Sequence, residues 1–330
     1  MEAQVTKNKF SIIFRENRQE FFLLILILIV IAISPLLSEF FLTPDNLMNL
    51  LRQSSYLVLV SIGMMIVVIT GGIDLSVGAV MQIVGLCIIL MLGANIPTWI
   101  AVIVALLIGA ALGAINGALT VFGKLQPFIA TLATKSILTG LVLTITEGAS
   151  QAPSGIDPSF KNIGSGYFGA IPIPVIVMII VSIIFWWLMA KTTYGRYVYT
   201  TGSNKLAASY AGVSVKKVEI IAYSLSGILA ALSSILTVAR IGSFQPATTH
   251  SGGGAMEVTA IAAAVIGGGS LLGGKGTIVG AVLGGIISSL LLNLLVLMNM
   301  NIWVQRFVLG IITLVAVLLT SGMLDQRKKH

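Results

Sequence analysis

The chain has 330 residues, 57% of them hydrophobic and 9% charged, with a mean hydropathy of +1.04. Soluble domains carry roughly 25% charged residues, so this composition excludes a soluble protein. The formal charge of +8 is not gathered in a basic, aromatic-interleaved patch, and we expect no nucleic-acid partner. Because Cys87 is the single cysteine and the only histidines are His250 and His330, we expect no disulfide, metal site, catalytic residue or cofactor in this chain.

Ten apolar segments follow one another along the chain, most of them close to the roughly 20 residues of a spanning helix. They lie near 21–37, 56–71, 74–93, 99–121 and 127–146, and then near 173–190, 218–238, 257–271, 277–298 and 303–321. The first segment follows a charged stretch, as in a signal peptide, but no clear cleavage site follows it, so we expect it to be retained. Long apolar runs also exclude a transmembrane β-barrel. The sequence predicts an all-α integral membrane protein with about ten transmembrane helices.

The distribution of lysine and arginine predicts the orientation of these helices, because cytoplasmic loops retain positive charge. With both termini in the cytoplasm, fourteen of the 19 basic residues fall inside and four, Arg52, Lys161, Arg240 and Arg306, fall outside. Lys135 lies within the fifth span, about two turns from its cytoplasmic end, and could extend its side chain to that side. The predicted organisation is a cytoplasmic N-terminal segment (1–20), a transmembrane domain (21–322) and a cytoplasmic tail (323–330).

Glycines recur at every fourth position in two places, at Gly109, Gly113 and Gly117 and at Gly276, Gly280 and Gly284. This spacing lets helix backbones approach closely, so we predict that these helices pack against other helices. Static packing and a functional motion both fit the pattern.

Asp74 lies between glycines in the segment TGGIDLSVGA (70–79), at the predicted cytoplasmic junction of two spans. An ionisable residue within the membrane is a functional candidate, so Asp74 and Ser76 are candidates for the transport pathway or its gate. Alternatively, the Asp74 carboxylate accepts hydrogen bonds from free N–H groups at the start of the next helix. This capping role is favoured over contact with a solute.

Two further segments carry candidate pathway or gating residues. In GKLQPFIATLAT (123–134), Pro127 is predicted at the start of a span and is followed by Phe128. Thr131 either lines a polar pathway or bonds back to its own helix, which is the commoner arrangement. Glu257 is predicted in the first turn of the eighth span at the outer side, where it contacts a solute or partner or simply complements the helix N-terminus.

The segment GSLLGGKGT (269–277) nearly matches the phosphate-binding pattern G-x-x-x-x-G-K-[ST]. Gly276 stands where the motif has serine or threonine, and the segment joins two apolar helices without the strand that the motif requires. We therefore predict a tight turn between two spans.

The longest basic internal loop spans 191–217, and the predicted orientation places it in the cytoplasm. Ser203 or Asn204 can cap a helix that continues to Tyr210, and Gly212 can end it. The sequence predicts a short helix outside the membrane, which either docks in a groove of a cytoplasmic partner or belongs to a solvated loop.

Four blocks of the sequence, in order, resemble the permease subunits of bacterial ABC importers for ribose and related simple sugars. They are GGIDLSVGA (71–79), PFIATLAT (127–134), YGRYVYTTGSNKLAASYAGVSVKKV (194–218) and AIAAAVIGGGSLLGGKGTIVGAVLG (260–284). The resemblance implies a type II importer fold, in which two permease subunits, identical or sister chains, form the pathway at their interface above ATPase subunits that use ATP and Mg²⁺. It also implies an external solute-binding protein, periplasmic or lipid-anchored, and a location among the lipids of the bacterial cytoplasmic (inner) membrane.

The resemblance gives the basic loop a role. It implies that the loop couples the permease to the ATPase through Gly202, Ser203, Asn204, Ala207, Ala208, Gly212 and Val215. The sequence departs from the family pattern at Thr259, where family members usually carry an acidic residue. This departure leaves open which solute is carried and whether the chain is a sister subunit.

Two other classes of function are open to a chain of this kind. A secondary transporter driven by an ion gradient often places carboxylates at broken helices near the bilayer midplane, whereas Asp74 and Glu257 are predicted near span ends. A membrane enzyme needs a nucleophile with a base, or a ligated metal, and neither histidine has such a setting. The permease of an ABC importer is the predicted function.

Overall fold

The computed structural model describes residues 18–153, 155–246 and 256–326. In these ranges the chain forms helices joined by short connections and one two-stranded hairpin. The helices are α1 (Arg18–Leu37), α2 (Pro44–Ile69), α3 (Val77–Gly93), α4 (Thr98–Val121), α5 (Pro127–Thr146), α6 (Pro158–Ser165), α7 (Ile173–Lys191), α8 (Thr193–Ser203), α9 (Lys205–Tyr210), α10 (Val215–Ile241), α11 (Met256–Ile266), α12 (Ile278–Leu297) and α13 (Ile302–Gln326). Strands β1 (Tyr167–Phe168) and β2 (Ile171–Pro172) pair antiparallel.

Each of the ten predicted apolar segments lies on a helix. By length and composition, seven helices of the described residues can cross a membrane, namely α1, α2, α4, α5, α7, α10 and α12. The apolar helices α3 and α11 and the apolar part of α13 are shorter. The chain is therefore an all-α, multi-pass membrane protein.

The interior of the bundle is centred on α2 and α10. Every residue of α2 from Ser54 to Ile69 is buried, which is the expected environment of a helix that is apolar on all sides. Helix α10 packs against α2, α3 and α4, and α2 also packs against α12. Helices α5 and α7 lie at the periphery and expose large apolar side chains such as Ile137 and Ile183.

The predicted close packing at the glycine repeats is confirmed. Gly109, Gly113 and Gly117 of α4 lie directly against α10. A Cβ atom added at Gly113 would overlap the carbonyl oxygen of Tyr223, so only glycine allows this approach. The second repeat, which precedes and enters α12, lies in the same way against α2 and α11.

Helix α2 begins at Pro44, well before the predicted start near residue 56. Thr43 caps the helix, its Oγ1 accepting a hydrogen bond from the Asn46 amide at 3.4 Å. The first turns carry polar residues, including Arg52, which lower the local hydropathy and hide the beginning of the helix from a search for apolar runs.

The connection between α5 and α7 contains α6 and the hairpin, which are too short and too polar to be predicted from hydropathy. The Asp157 carboxylate caps α6 by accepting a hydrogen bond from the Ser159 amide at 2.9 Å. Hydrogen bonds from Ser159, and then from Thr98, hold the pKa of Asp157 below its usual value. The fully buried Phe160 anchors α6, which packs against α10.

Candidate functional site

The basic loop predicted at 191–217 is largely helical. The predicted short helix is confirmed as α9, and the Asn204 side chain caps it by accepting a hydrogen bond from the Ala207 amide at 2.9 Å. Gly212 follows the helix with a φ of 82°, a left-handed conformation that favours glycine. Helix α8, which precedes α9, was not predicted, because its polar, glycine-containing sequence lacks an apolar repeat.

The end of α8 lies against the C-terminal end of α2 and the turn between α11 and α12. A Cβ atom at Gly202 would overlap the carbonyl oxygen of Ile69, the last residue of α2. That same oxygen accepts a hydrogen bond from the Gly274 amide at 2.8 Å. The turn predicted at 269–277 is confirmed between α11 and α12, and the hydroxyl of Tyr199 donates to its Gly276 carbonyl oxygen at 2.8 Å. The segment 192–215 therefore contacts both α2 and the α11–α12 turn.

The Tyr199 hydroxyl is protonated when it makes this contact. Burial raises the pKa of Tyr199 above its ordinary value, so the group remains a hydrogen-bond donor throughout the physiological pH range.

An ion pair that sequence analysis missed joins α9 to α10. The ammonium of Lys205, at the start of α9, contacts a carboxylate oxygen of the buried Glu219 in the second turn of α10. The opposite charges of Lys205 and Glu219, close together in the sequence, are a signal from which this pair could have been predicted. The pair links the short helix to one of the two central helices.

The face of α9 opposite the bundle is exposed and partly apolar. Leu206 and Tyr210, four residues apart on one side of the helix, are 66% and 84% exposed. Ala208 faces inward and is buried, whereas Ala207 is exposed. Of the other candidate residues, Ser203 is exposed and Val215 is half-buried at the start of α10.

Asp74 is buried, and both oxygens of its carboxylate accept hydrogen bonds. One carboxylate oxygen accepts from the Ser76 amide at 3.0 Å and from the Ser76 hydroxyl at 2.6 Å, and the other accepts from the Ser226 hydroxyl at 3.1 Å. The Asn116 amide donates to the Ser76 hydroxyl at 2.7 Å. Neither of the two ion pairs found in the described residues involves Asp74. The carboxylate thus holds the turn before α3 in place, close to the expected capping role.

Thr131 also reaches this cluster. Its hydroxyl lies 2.8 Å from the Pro127 carbonyl oxygen in its own helix and 3.3 Å from the Ile73 carbonyl oxygen, which the Tyr223 hydroxyl also approaches at 3.3 Å. Pro127 is the first residue of α5, as predicted, and the next residue, Phe128, is exposed. The structure therefore brings Asp74, Ser76 and Thr131 together, with Phe128 on the surface nearby in sequence.

Glu257 lies in the first turn of α11, within electrostatic range of Asp74, and forms an ion pair with Lys135 of α5. Lys135 therefore does not extend toward the cytoplasmic end of its helix as expected. The Glu257 carboxylate is buried, and its Oε2 has no hydrogen-bond partner among the described residues. The pair was missed because its members are 122 residues apart in the chain.

Glu257 lies in the first turn of its helix, as predicted, and its level along the neighbouring helix follows from the packing of α11 against α12. Ala263 lies against Gly284, and Gly267 lies against Gly280, so α11 and α12 are antiparallel neighbours. Continuing this register places Glu257 beside the middle part of α12 rather than at its outer end. The Glu257 carboxylate is therefore level with the interior of α12.

These helices define a polytopic membrane protein in which the buried carboxylates Asp74, Glu219 and Glu257 are hydrogen-bonded or ion-paired. The sequence matches the family described as branched-chain amino acid transport system / permease component over residues 46–317, and the chain belongs to this family. No solved structure matches it significantly.

Curated relatives align with nearly the whole chain. The ribose import permease protein RbsC of Haemophilus influenzae is 38% identical over 305 residues, covering 92% of each chain. The ribose import permease of Bacillus subtilis is 42% identical over 291 residues, covering 88% of this chain and 89% of the relative. The D-allose transport system permease protein AlsC of Escherichia coli is 38% identical over 296 residues, covering 89% of each.

Proposed function

We propose that the chain is the membrane-spanning permease subunit of an ATP-driven ABC importer for ribose or a related simple sugar. The observation that carries this proposal is the 38 to 42% identity to ribose import permeases over about nine tenths of the chain. The similar identity to a D-allose permease supports a monosaccharide as the solute class.

The topology we propose has ten spans, with both termini in the cytoplasm of a bacterial cell and the spans in its inner membrane. The asymmetry of the basic residues supports this orientation, because positive charge is retained on the cytoplasmic side. Two permease subunits, identical or sister chains, form the pathway between them, and an external binding protein delivers the solute.

The ATPase is a separate subunit that binds ATP and Mg²⁺ and docks on the cytoplasmic segment around α9. The exposed Leu206 and Tyr210 supply an apolar contact of the kind that a partner groove accommodates. Motion of α9 would pass to α10 through the Lys205–Glu219 pair. It would also pass to α2 and the α11–α12 turn through the close contact at Gly202.

The cluster of Asp74, Ser76 and Thr131 connects the α2–α3 turn to α5 and α10, and we assign it to the gate rather than to solute binding. Its carboxylate oxygens are already occupied by three hydrogen bonds. A movement of α10 would shift this cluster and, through it, the beginning of α5 with Phe128.

The proposal is tested by reconstituting the chain with its ATPase and binding protein in vesicles. ATP enclosed on the cytoplasmic side should drive uptake of labelled D-ribose or D-allose, and ionophores should leave that uptake unchanged. Uptake that follows a proton or sodium gradient and persists without ATP would identify a secondary transporter instead.

The docking role of α9 has its own test. We expect the double variant Leu206→Ser/Tyr210→Ser to lose stimulation of the ATPase by the loaded binding protein. Ile183→Ser is the matched control, since Ile183 is 60% exposed in the middle of α7, away from α9 and from both ends of the spans. Equal stimulation in both variants would contradict the docking assignment.

A further inference from the structure

Lys135 lies deep within its helix. Eight residues of α5 precede it and eleven follow, which places it about 12 Å from one end and about 16 Å from the other. At this depth an ammonium group is costly unless it has a polar partner or faces a polar space. Its partner is Glu257, which the register of α11 with α12 independently places inside a span.

The ion pair has unused hydrogen-bonding capacity on both sides. An ammonium has three donors, and one donates to Glu257 Oε1. The other carboxylate oxygen, Oε2, is buried and accepts no hydrogen bond from the described residues, although Glu257 is only 1% exposed. A buried acceptor left in this way is unfavourable in a static core and is a candidate contact for a ligand. One third of the Lys135 side chain is exposed, so the pair has an open side.

The surface of α5 next to that open side is polar, and the surface further round the helix is apolar. Three rows of residues at a spacing of four run along the helix, namely Lys135 with Thr139, Ser136 with Gly140 and Thr144, and Ile137 with Leu141 and Ile145. Ile137, Leu141 and Ile145 are exposed, as expected of side chains that face lipid. In the second row the Ser136 and Thr144 hydroxyls donate to carbonyl oxygens of their own helix, and a Cβ atom at Gly140 would meet no other group within 4 Å, so this side of α5 has small polar side chains and open space beside Lys135.

We propose that the Lys135–Glu257 pair is a binding point for a neutral, polyhydroxylated solute in the transport pathway. Adjacent hydroxyl groups of one solute molecule can accept from the Lys135 ammonium and donate to Glu257 Oε2 at the same time. Contact with Oε2 requires α11 to move away from α5, which exposes the carboxylate, and the structure with Oε2 buried is the closed form of the site. The inference rests on the proposed function as a sugar importer and names the solute contact within it.

The charges of the pair set its selectivity. Because the ammonium and the carboxylate neutralise one another, a neutral sugar can bind without burying net charge. An anionic sugar would meet Glu257 at close range and be repelled. Removing the carboxylate charge leaves the ammonium unpaired, and an anion then becomes the better ligand.

The test measures protection of an introduced thiol by sugar. In a Cys87→Ser background, Ser136→Cys places a thiol beside the pair, and Ile137→Cys places one on the apolar row as a control. Each variant is reconstituted with the ATPase but without the binding protein, so that sugar reaches the permease directly. The probe is a membrane-impermeant, cationic methanethiosulfonate, which reacts with a thiolate and therefore reacts slowly with a thiol held in hydrocarbon.

We expect Ser136→Cys to react faster than Ile137→Cys, and the transported sugar, D-ribose or D-allose, to slow its labelling. At ten times the half-protecting concentration the rate should fall by about tenfold, whereas ribose 5-phosphate should have no effect. Adding Glu257→Gln to the Ser136→Cys variant should reverse the preference between the two ligands, so that ribose 5-phosphate protects the thiol and the neutral sugar does not. Lys135→Met should abolish protection by both, which provides a second variant if Glu257→Gln fails to assemble.

Equal labelling of the two thiols, absence of protection by the transported sugar, or an unchanged preference in Glu257→Gln would overturn the site. ATP-driven uptake by the unmodified importer is measured in parallel. Uptake without protection would refute the site and leave the importer function standing, whereas absence of uptake of either sugar would refute both.

Discussion

Asp74 and Glu257 are both buried carboxylates in a membrane protein, but they differ in their hydrogen bonds and in ion pairing. Asp74 has no basic partner among the described residues, but three hydrogen bonds reach its two oxygens from Ser76 and Ser226. Glu257 has a basic partner, Lys135, and one oxygen without a hydrogen bond. Asp74 is surrounded by α3 and α10, whereas Glu257 reaches a peripheral helix whose outer surface is partly polar.

The difference separates a carboxylate that holds the structure together from one that is available to a ligand. A buried carboxylate that accepts hydrogen bonds on both oxygens has little capacity left for a solute, and removing it leaves several buried donors unpaired. A carboxylate with a free oxygen can be changed with less damage to the fold. Stability and transport should therefore respond in opposite order to substitutions at the two sites.

The largest loss of stability is expected at the close packing beside the Asp74 cluster. Gly113→Ala places a methyl group on the Tyr223 carbonyl oxygen, and overpacking of this kind should cost about 3 kcal/mol. Gly140→Ala on α5 is the matched control, because its added methyl group meets no atom within 4 Å. Thermal unfolding in detergent should show a large decrease in Tm for the first variant only. Similar Tm values would contradict the described contact of α4 with α10.

Asp74→Ala is expected to cause the next largest loss of stability, about 2 kcal/mol, because the Ser76 amide and two serine hydroxyls lose their acceptor in a buried site. Asp74→Asn should lose less than half as much, since the remaining oxygen still accepts from Ser76 and the Ser226 hydroxyl can turn to accept from the amide. The two Tm values measured side by side decide the point. An equal loss in both variants would mean that the negative charge itself, and not the hydrogen bonds, is required.

Glu257→Gln should cost less than Asp74→Ala, because the glutamine amide oxygen still accepts from the Lys135 ammonium and the other carboxylate oxygen has no hydrogen bond to lose. Its effect on sugar uptake should nevertheless exceed that of Asp74→Asn. Parallel measurements of Tm and of ATP-driven uptake for both variants test this reversal. A Tm decrease for Glu257→Gln as large as that of Asp74→Ala would assign the pair to the structural core.

The smallest effect is expected at an exposed carboxylate, Asp157. Hydrogen bonds from Ser159 and Thr98 hold its pKa below the unfolded value, which is about 3.9 for aspartate. A group with a lowered pKa in the folded state stabilises the fold above the unfolded pKa and loses this contribution as the pH falls through the folded pKa. The Tm difference between the unmodified chain and Asp157→Asn should be present at neutral pH and should disappear in acid. A Tm difference that grows as the pH falls would contradict a lowered pKa of Asp157 in the folded state.

Local sequence patterns were sufficient for much of the segment 192–215 and for the start of α5. Ser203 or Asn204 was predicted to cap α9 and Gly212 to end it, and the structure uses Asn204; Pro127 predicted the first residue of α5. These predictions were possible because capping and proline act within a few residues. The beginning of α2 was missed because its first turns are polar. The pair between Lys135 and Glu257 was missed because nothing local relates two residues that only the packing of α5 and α11 brings together.

The sequence by itself determined that this is a helical membrane protein, where its apolar helices lie, and which family it belongs to. Those properties depend on composition, on apolar periodicity and on ordered blocks of residues, all of which are local. Only the tertiary structure decided which buried carboxylate accepts hydrogen bonds on both oxygens and which on one. This difference depends on donors from other helices, as Ser226 supplies to Asp74 and Lys135 supplies to Glu257. These donors are distant in sequence and become neighbours only when the helices pack.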